Sequence, residues 1–285
     1  MKIPKVAHRF VDVDGVRVFY REAGAPGAPT LLLLHGFPSS SAQFRRLIDA
    51  LGGSYHVVAP DYPGFGQTEA PAEFTYTFER LADVVEGFVE RLGLRRFTLY
   101  AFDFGGPVGM RLATRRPEWI AGLIVQNANA YDEGLSDLAR GLTANRPGVP
   151  GAREAVAGIM VLPVTRDQYV GGATDPELIA PDGWTLDQHY LDRPGRKDAQ
   201  IDLALDYHTN VELYPLWQRW LREHRPPALI LWGAGDPFFL TPGAHAYLRD
   251  LPDAELHLFA TGHFALEECL PEIAPLIAGF LDRTR

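Results

Sequence analysis

The chain has 285 residues, 46% hydrophobic and 22% charged, enough to bury one large core or a core with an inserted lid. Its formal net charge of -9 argues against nucleic acid or an anionic membrane surface as a partner. The one cysteine, Cys269, excludes an intramolecular disulfide, and no paired Cys/His spacing suggests zinc, so neither metal nor cofactor is expected.

Met1 to Lys5 leads straight into polar sequence with no signal-peptide core, and no apolar run is long enough to span a bilayer; a cytoplasmic protein is expected. Strand-like runs follow at His8 to Val13 and Val16 to Glu22, joined by Asp14-Gly15, a hairpin signal. Two more lie at Thr30 to Leu34 and Tyr55 to Ala59. Between Phe78 and Leu92, apolar residues at helical spacing (Leu81, Val84, Val85, Phe88, Leu92) predict a helix packed on the sheet. Further strands are predicted at Phe97 to Ala101, Gly122 to Gln126, Ala228 to Trp232 and Glu255 to Phe259. This order predicts an α/β fold: an eight-stranded sheet, antiparallel at its start and otherwise mostly parallel, flanked by helices. From about Asn129 to Glu223 the alternation breaks, with Pro and Gly clusters, many aromatics and no convincing strand. We expect an insertion at 129–223 between core segments 1–128 and 224–285.

The chemistry centres on Ala101-Phe-Asp103-Phe-Gly105. Small residues two before and two after a reactive side chain let a strand turn sharply into a helix. Read alone, Asp103 is equally well a helix N-cap. An acid and a histidine, however, follow it past the ends of later strands, at Trp232-Gly-Ala-Gly-Asp236 and Ala260-Thr-Gly-His263, where open α/β sheets build their sites. An aspartate at the turn is already ionised near neutral pH and can attack an electrophilic carbon without a base to activate it.

These motifs resemble the α/β-hydrolase-fold family, in the branch of epoxide hydrolases and haloalkane dehalogenases. The elbow is joined by His35-Gly-Phe-Pro38, similar to the family's oxyanion loop, by Ala59-Pro-Asp-Tyr-Pro-Gly-Phe-Gly66 and by Gly262-His-Phe-Ala-Leu-Glu-Glu268. The resemblance covers nearly the whole chain. It implies that 129–223 is a helical cap and that Asp103 forms an ester with substrate, which water attacked through His263 then hydrolyses. Asp236 would orient His263, and the Phe37 and Phe104 backbone N–H groups would form the oxyanion hole. Asn127, not an acid, ends the sixth strand, which favours Asp236 over that alternative position. His35 reads as a loop hydrogen-bonding residue.

The leaving group separates the two branches. Dehalogenases hold a halide with side-chain N–H donors that Phe37 and Phe104 lack, whereas epoxide hydrolases protonate the opening oxygen from a cap tyrosine. Tyr207, followed by His208 where an arginine is usual, resembles the second such tyrosine. A first is missing from Leu142 to Leu162; Tyr131 lies early and Tyr169 late. Tyr131, Trp184, Tyr214 and Trp217 are candidate pocket residues, implying an apolar substrate with water as co-substrate. The reading is therefore an epoxide hydrolase working as a monomer or homodimer. Its alternatives are a dehalogenase and a hydrolase-fold binding protein without turnover. No Gly-x-Ser-x-Gly elbow supports a serine esterase.

Overall fold

Central strands that are apolar at both odd and even positions need helices on both faces. The computed structural model describes residues 4–284; Met1 to Ile3, part of the stretch read above for a signal sequence, lie outside them. The strands are β1 (Val6–Val13), β2 (Val16–Ala23), β3 (Thr30–Leu34), β4 (His56–Pro60), β5 (Phe97–Phe102), β6 (Ile120–Gln126), β7 (Ala228–Gly233) and β8 (Glu255–Phe259). They form one eight-stranded sheet in the order β1-β2-β4-β3-β5-β6-β7-β8. Only β2 runs antiparallel to its neighbours, and Val13 pairs with Val16 across the expected Asp14-Gly15 turn, both turn residues at positive φ.

The helices are α1 (Arg45–Leu51), α2 (Phe78–Arg91), α3 (Gly105–Arg115), α4 (Asp137–Thr143), α5 (Ala152–Gly158), α6 (Leu162–Val170), α7 (Asp182–Leu191), α8 (Arg196–Asp206), α9 (His208–His224), α10 (Thr241–Asp250), α11 (Ala265–Glu268) and α12 (Leu270–Arg283). Strand alternation sorts the interior into two cores. Leu32, Leu34, Leu99 and Val125 face the one that contains α2 and α3, while Leu31, Leu33, Phe102 and Ile124 face the one built with α1 and α12. Helix α2 starts at the predicted position, its N-terminus capped by Thr77, whose side chain accepts from the Arg80 N–H.

Helices α4 to α9 occupy the stretch between β6 and β7. Asn210, Tyr214, Trp217 and Leu221 form the buried stripe of α9, spaced as one helical face. Beneath it the buried Arg111 of α3 donates to Asn210 Oδ1 at 2.6 Å and to Thr209 Oγ1 at 3.1 Å, tying the helical segment to the sheet layer. Among the described residues no helix is long and apolar enough to cross a membrane.

Candidate active site

β5 delivers Asp103 at φ 49°, in the left-handed region that residues with a Cβ rarely adopt. The turn closes because its neighbours are glycines: a Cβ on Gly105 would run into the Leu34 carbonyl, and one on Gly36 would overlap the Asp103 side chain. Asp103 Oδ1 accepts from the Phe37 N–H at 2.6 Å, and the neighbouring Phe104 N–H also favours its charged form. The two N–H groups expected to form an oxyanion hole therefore converge on one carboxylate. Oδ2 is left facing His263 Nε2 at 3.7 Å.

On the far side of the ring, His263 Nδ1 and Asp236 Oδ2 lie 2.6 Å apart. Asp236 is fixed in turn: its Oδ1 accepts from the N–H groups of Phe238 (2.7 Å) and Phe239 (3.2 Å), and its Oδ2 from Asn127 Nδ2 at 2.8 Å. Asn127 also accepts from the Gly233 N–H at 2.9 Å. Asn127, in the sequence only a non-acid at the end of β6, is thus a buttress for the acid, a role that depends on β7, which leads to Asp236, lying beside β6. Such a chain fixes the imidazole tautomer and orientation. His35 behaves as expected: Nδ1 donates to the Gly36 carbonyl, Nε2 accepts from the Tyr62 N–H, and burial pulls its pKa down to about 4.

Burial raises the Asp103 carboxyl above the usual carboxylate range, opposed by His263 and the two N–H groups. For His263, burial is the largest single influence and lowers its pKa, but Asp236, through charge and hydrogen bond, together with Asp103 carries it above the ordinary histidine value. Part of the proton's hold on His263 thus depends on the negative charge of Asp103.

Above these groups lies a cavity of about 420 Å³, whose lining includes Asp103, His263, Phe37, Phe104 and Tyr207. Its walls are mostly apolar, with Leu142, Val156, Ile159 and Val164 among them. Tyr207 is 7% exposed, its ring 5.8 Å from that of Phe104, with the Tyr214 hydroxyl among the groups that act on its own. Burial, then Tyr214 and the charge of Asp103, push its phenol well above the ordinary tyrosine range, so it stays protonated.

The four aromatics expected in the pocket are not among the residues that line it. Tyr131 donates to Asp250 Oδ2 at 2.7 Å and packs edge-on against Tyr247. Trp184 packs on Tyr169, and Trp217 is fully buried against Tyr214. Tyr214 stands behind Tyr207, its hydroxyl accepting from Asn129 Nδ2 at 3.3 Å. These rings turn toward the core, where they bury most area; aliphatic residues of α4, α5 and α6 supply the walls instead. Tyr169, considered as a cap tyrosine, is also outside the lining and stacks on Phe264 at 3.8 Å. Among the described residues no cluster of His, Cys, Asp and Glu could hold a metal ion.

The profile of a family described as alpha/beta hydrolase fold matches residues 29–269. The chain is 41% identical over 273 residues to an uncharacterized hydrolase of Saccharomyces cerevisiae, covering 94% of each. Its fold is similar to the crystal structure of a haloalkane dehalogenase from Bradyrhizobium elkani (TM-score 0.80, 23% identity, 98% of this chain and 99% of that one). It is equally similar to the structure of an epoxide hydrolase without ligand (TM-score 0.80, 20% identity, 99% of this chain and 100% of that one). At such identities these two likenesses speak for the fold alone.

Proposed function

Because the chain belongs to the α/β-hydrolase-fold family and is a hydrolase, we propose that it opens apolar epoxides to vicinal diols through an ester on Asp103. One observation carries the reading: a buried tyrosine, Tyr207, lines the same apolar-walled cavity as Asp103 and the His263 that pairs with Asp236. A carboxylate can attack carbon, but a strained ring oxygen leaves easily only if it receives a proton, and Tyr207 is the buried acid on that side.

In the first step Asp103 Oδ2 bonds to a ring carbon, the ring C–O bond breaks, and its electron pair takes the Tyr207 proton. The ester removes the charge on Asp103 and with it one of the influences that hold a proton on His263. Neutral His263 then takes a proton from water, whose oxygen attacks Asp103 Cγ while the Phe37 and Phe104 N–H groups stabilise the oxyanion. Collapse of the tetrahedral intermediate expels the diol oxygen, which takes the proton from His263. The remaining proton of the new Asp103 carboxyl returns to Tyr207, closing the cycle. Residues 129–223 act as the cap over this cavity.

Release of halide is the competing chemistry. It calls for N–H donors around a departing anion, and Trp184 and Trp217, the tryptophans that would have favoured it, are not among the cavity residues. A single turnover in isotope-labelled water tests the ester directly. The diol should carry an oxygen from Asp103 and the label should enter the Asp103 peptide; label in the first-turnover diol would contradict an ester.

A further inference from the structure

Displacement at a saturated carbon proceeds from the back side, so the breaking ring bond points away from Asp103 toward helices α4 to α9. Four cavity residues on those helices carry polar side chains: Thr143, Asp167, Gln168 and Tyr207. Thr143 already donates to the Arg140 carbonyl at 3.0 Å. The Asp167 side chain is 70% exposed and beside Arg166. Gln168 and Tyr207 remain, both buried.

Gln168 is 6% exposed, and no hydrogen bond from the described residues reaches its side-chain amide. An amide on the cavity wall without a protein partner is left to be satisfied by whatever occupies the cavity. Its position is well fixed. One turn on, Gly171 and Gly172 approach the loops of the candidate triad so closely that a Cβ on Gly262 would overlap the Gly171 carbonyl, and one on Gly172 the Gly235 carbonyl. The next residue, Tyr169, is clamped between Phe264, stacked at 3.8 Å, and Asp187, which accepts from its hydroxyl at 2.5 Å. Gln168 therefore stands on the wall beside His263, while Tyr207 stands over Phe104.

We infer that Gln168 is the second substrate-binding group on the cap side, its amide N–H donating to the ring oxygen while Tyr207 transfers the proton. This rests on the epoxide reading above. An amide cannot deliver a proton, so the division of labour is unequal: Gln168 holds the oxygen and stabilises charge as the ring opens, and only Tyr207 titrates. The substrate class is correspondingly narrow, an epoxide whose carbon substituents reach the aliphatic walls of α4 and α5 and whose only polar atom is the one these two side chains hold.

The test measures two rates with styrene oxide: ester formation, by intact mass in the His263→Gln background, and ester decay, by rapid quench with His263 intact. Gln168→Leu and Gln168→Met, uncharged side chains without a donor, should each slow ester formation about ten- to a hundredfold. Decay should change by no more than about twofold, because the oxyanion hole and His263 are untouched. With two apolar variants the test stays readable if one of them disturbs folding, judged by thermal melting. An adduct that forms as fast with leucine or methionine at 168, or equal slowing of both steps, overturns this inference alone. No styrene oxide adduct in folded His263→Gln with Gln168 intact overturns the epoxide reading and this inference with it.

Discussion

The floor and the roof of the cavity are built on different principles. The floor is backbone: Asp103 sits in a strained turn, two N–H groups converge on it, and Gly36 and Gly105 leave no space for a methyl group. The roof is side chain, with aliphatic residues from three short helices and two buried polar groups, Tyr207 and Gln168. Under the proposed function, chemistry that must hold atoms to fractions of an ångström is placed where the backbone leaves no freedom, and selectivity where one substitution changes a wall and little else.

The largest effect expected from breaking this contrast is at the floor's centre. Asp103→Ala should reduce turnover by at least about ten-thousandfold while circular dichroism and melting stay near those of the parent protein. Substantial residual turnover would mean that another group attacks the substrate. Next comes Gly36→Ala. The added methyl must displace the Asp103 carboxylate, so activity should collapse together with about 1–3 kcal/mol of stability in a denaturant titration. Its counterpart in the roof, Leu142→Ala, should cost less than about 1 kcal/mol and shift KM among substrates of different size more than kcat. Equal sensitivity at both positions would erase the distinction between floor and roof.

The two half-reactions should also separate with pH. In the proposed mechanism water activation needs neutral His263, whose pKa is held above the ordinary histidine value partly by the Asp103 charge. Ester decay should therefore fall about tenfold per pH unit on the acid side of the His263 titration and level off above it. That titration should lie lower in the ester than in the free enzyme, because the ester has no charge. Rapid-quench measurements across pH, with ester formation followed separately in His263→Gln, would reveal a shared profile if the proposed division is wrong.

A smaller effect lies behind the roof, at Asp187, whose pKa burial pushes up to about 7. The folded state binds this proton more tightly than the unfolded chain, so the group costs stability. That cost is absent below the ordinary carboxylate value and grows as pH rises toward about 7. Asp187→Asn, which can still accept from Tyr169, should raise the melting temperature more near about pH 8.5 than near about pH 5. The reverse order would place the charge elsewhere.

What could be read from the chain follows the same division. All eight strands lie where the hydrophobic runs indicate, differing by at most two residues at an end. Asp103, His263 and Asp236 stand at strand ends, where glycine-rich turns mark them, and they come together because the parallel sheet brings those ends side by side. The roof offered no such punctuation. Tyr131, Trp184, Tyr214 and Trp217 are expected at the cavity because they are aromatic, but a large ring is drawn to whichever side buries most of it, here the core. Gln168 was missed because one glutamine between Asp167 and Tyr169 has no local signature; its exposure to the cavity depends on how α6 docks against the His263 loop. Asn127 was noticed only as the absence of an acid, and its role required β7 beside it.

The most direct test of the aspartyl-ester mechanism is the intact mass of His263→Gln after incubation with styrene oxide and, separately, bromobutane, followed by peptide mapping. The mechanism predicts an added mass equal to one whole epoxide, carried by the peptide containing Asp103. An adduct only from bromobutane, equal to the halide less hydrogen bromide, would instead establish dehalogenation. A folded protein with no adduct on Asp103 from either compound would contradict the ester itself.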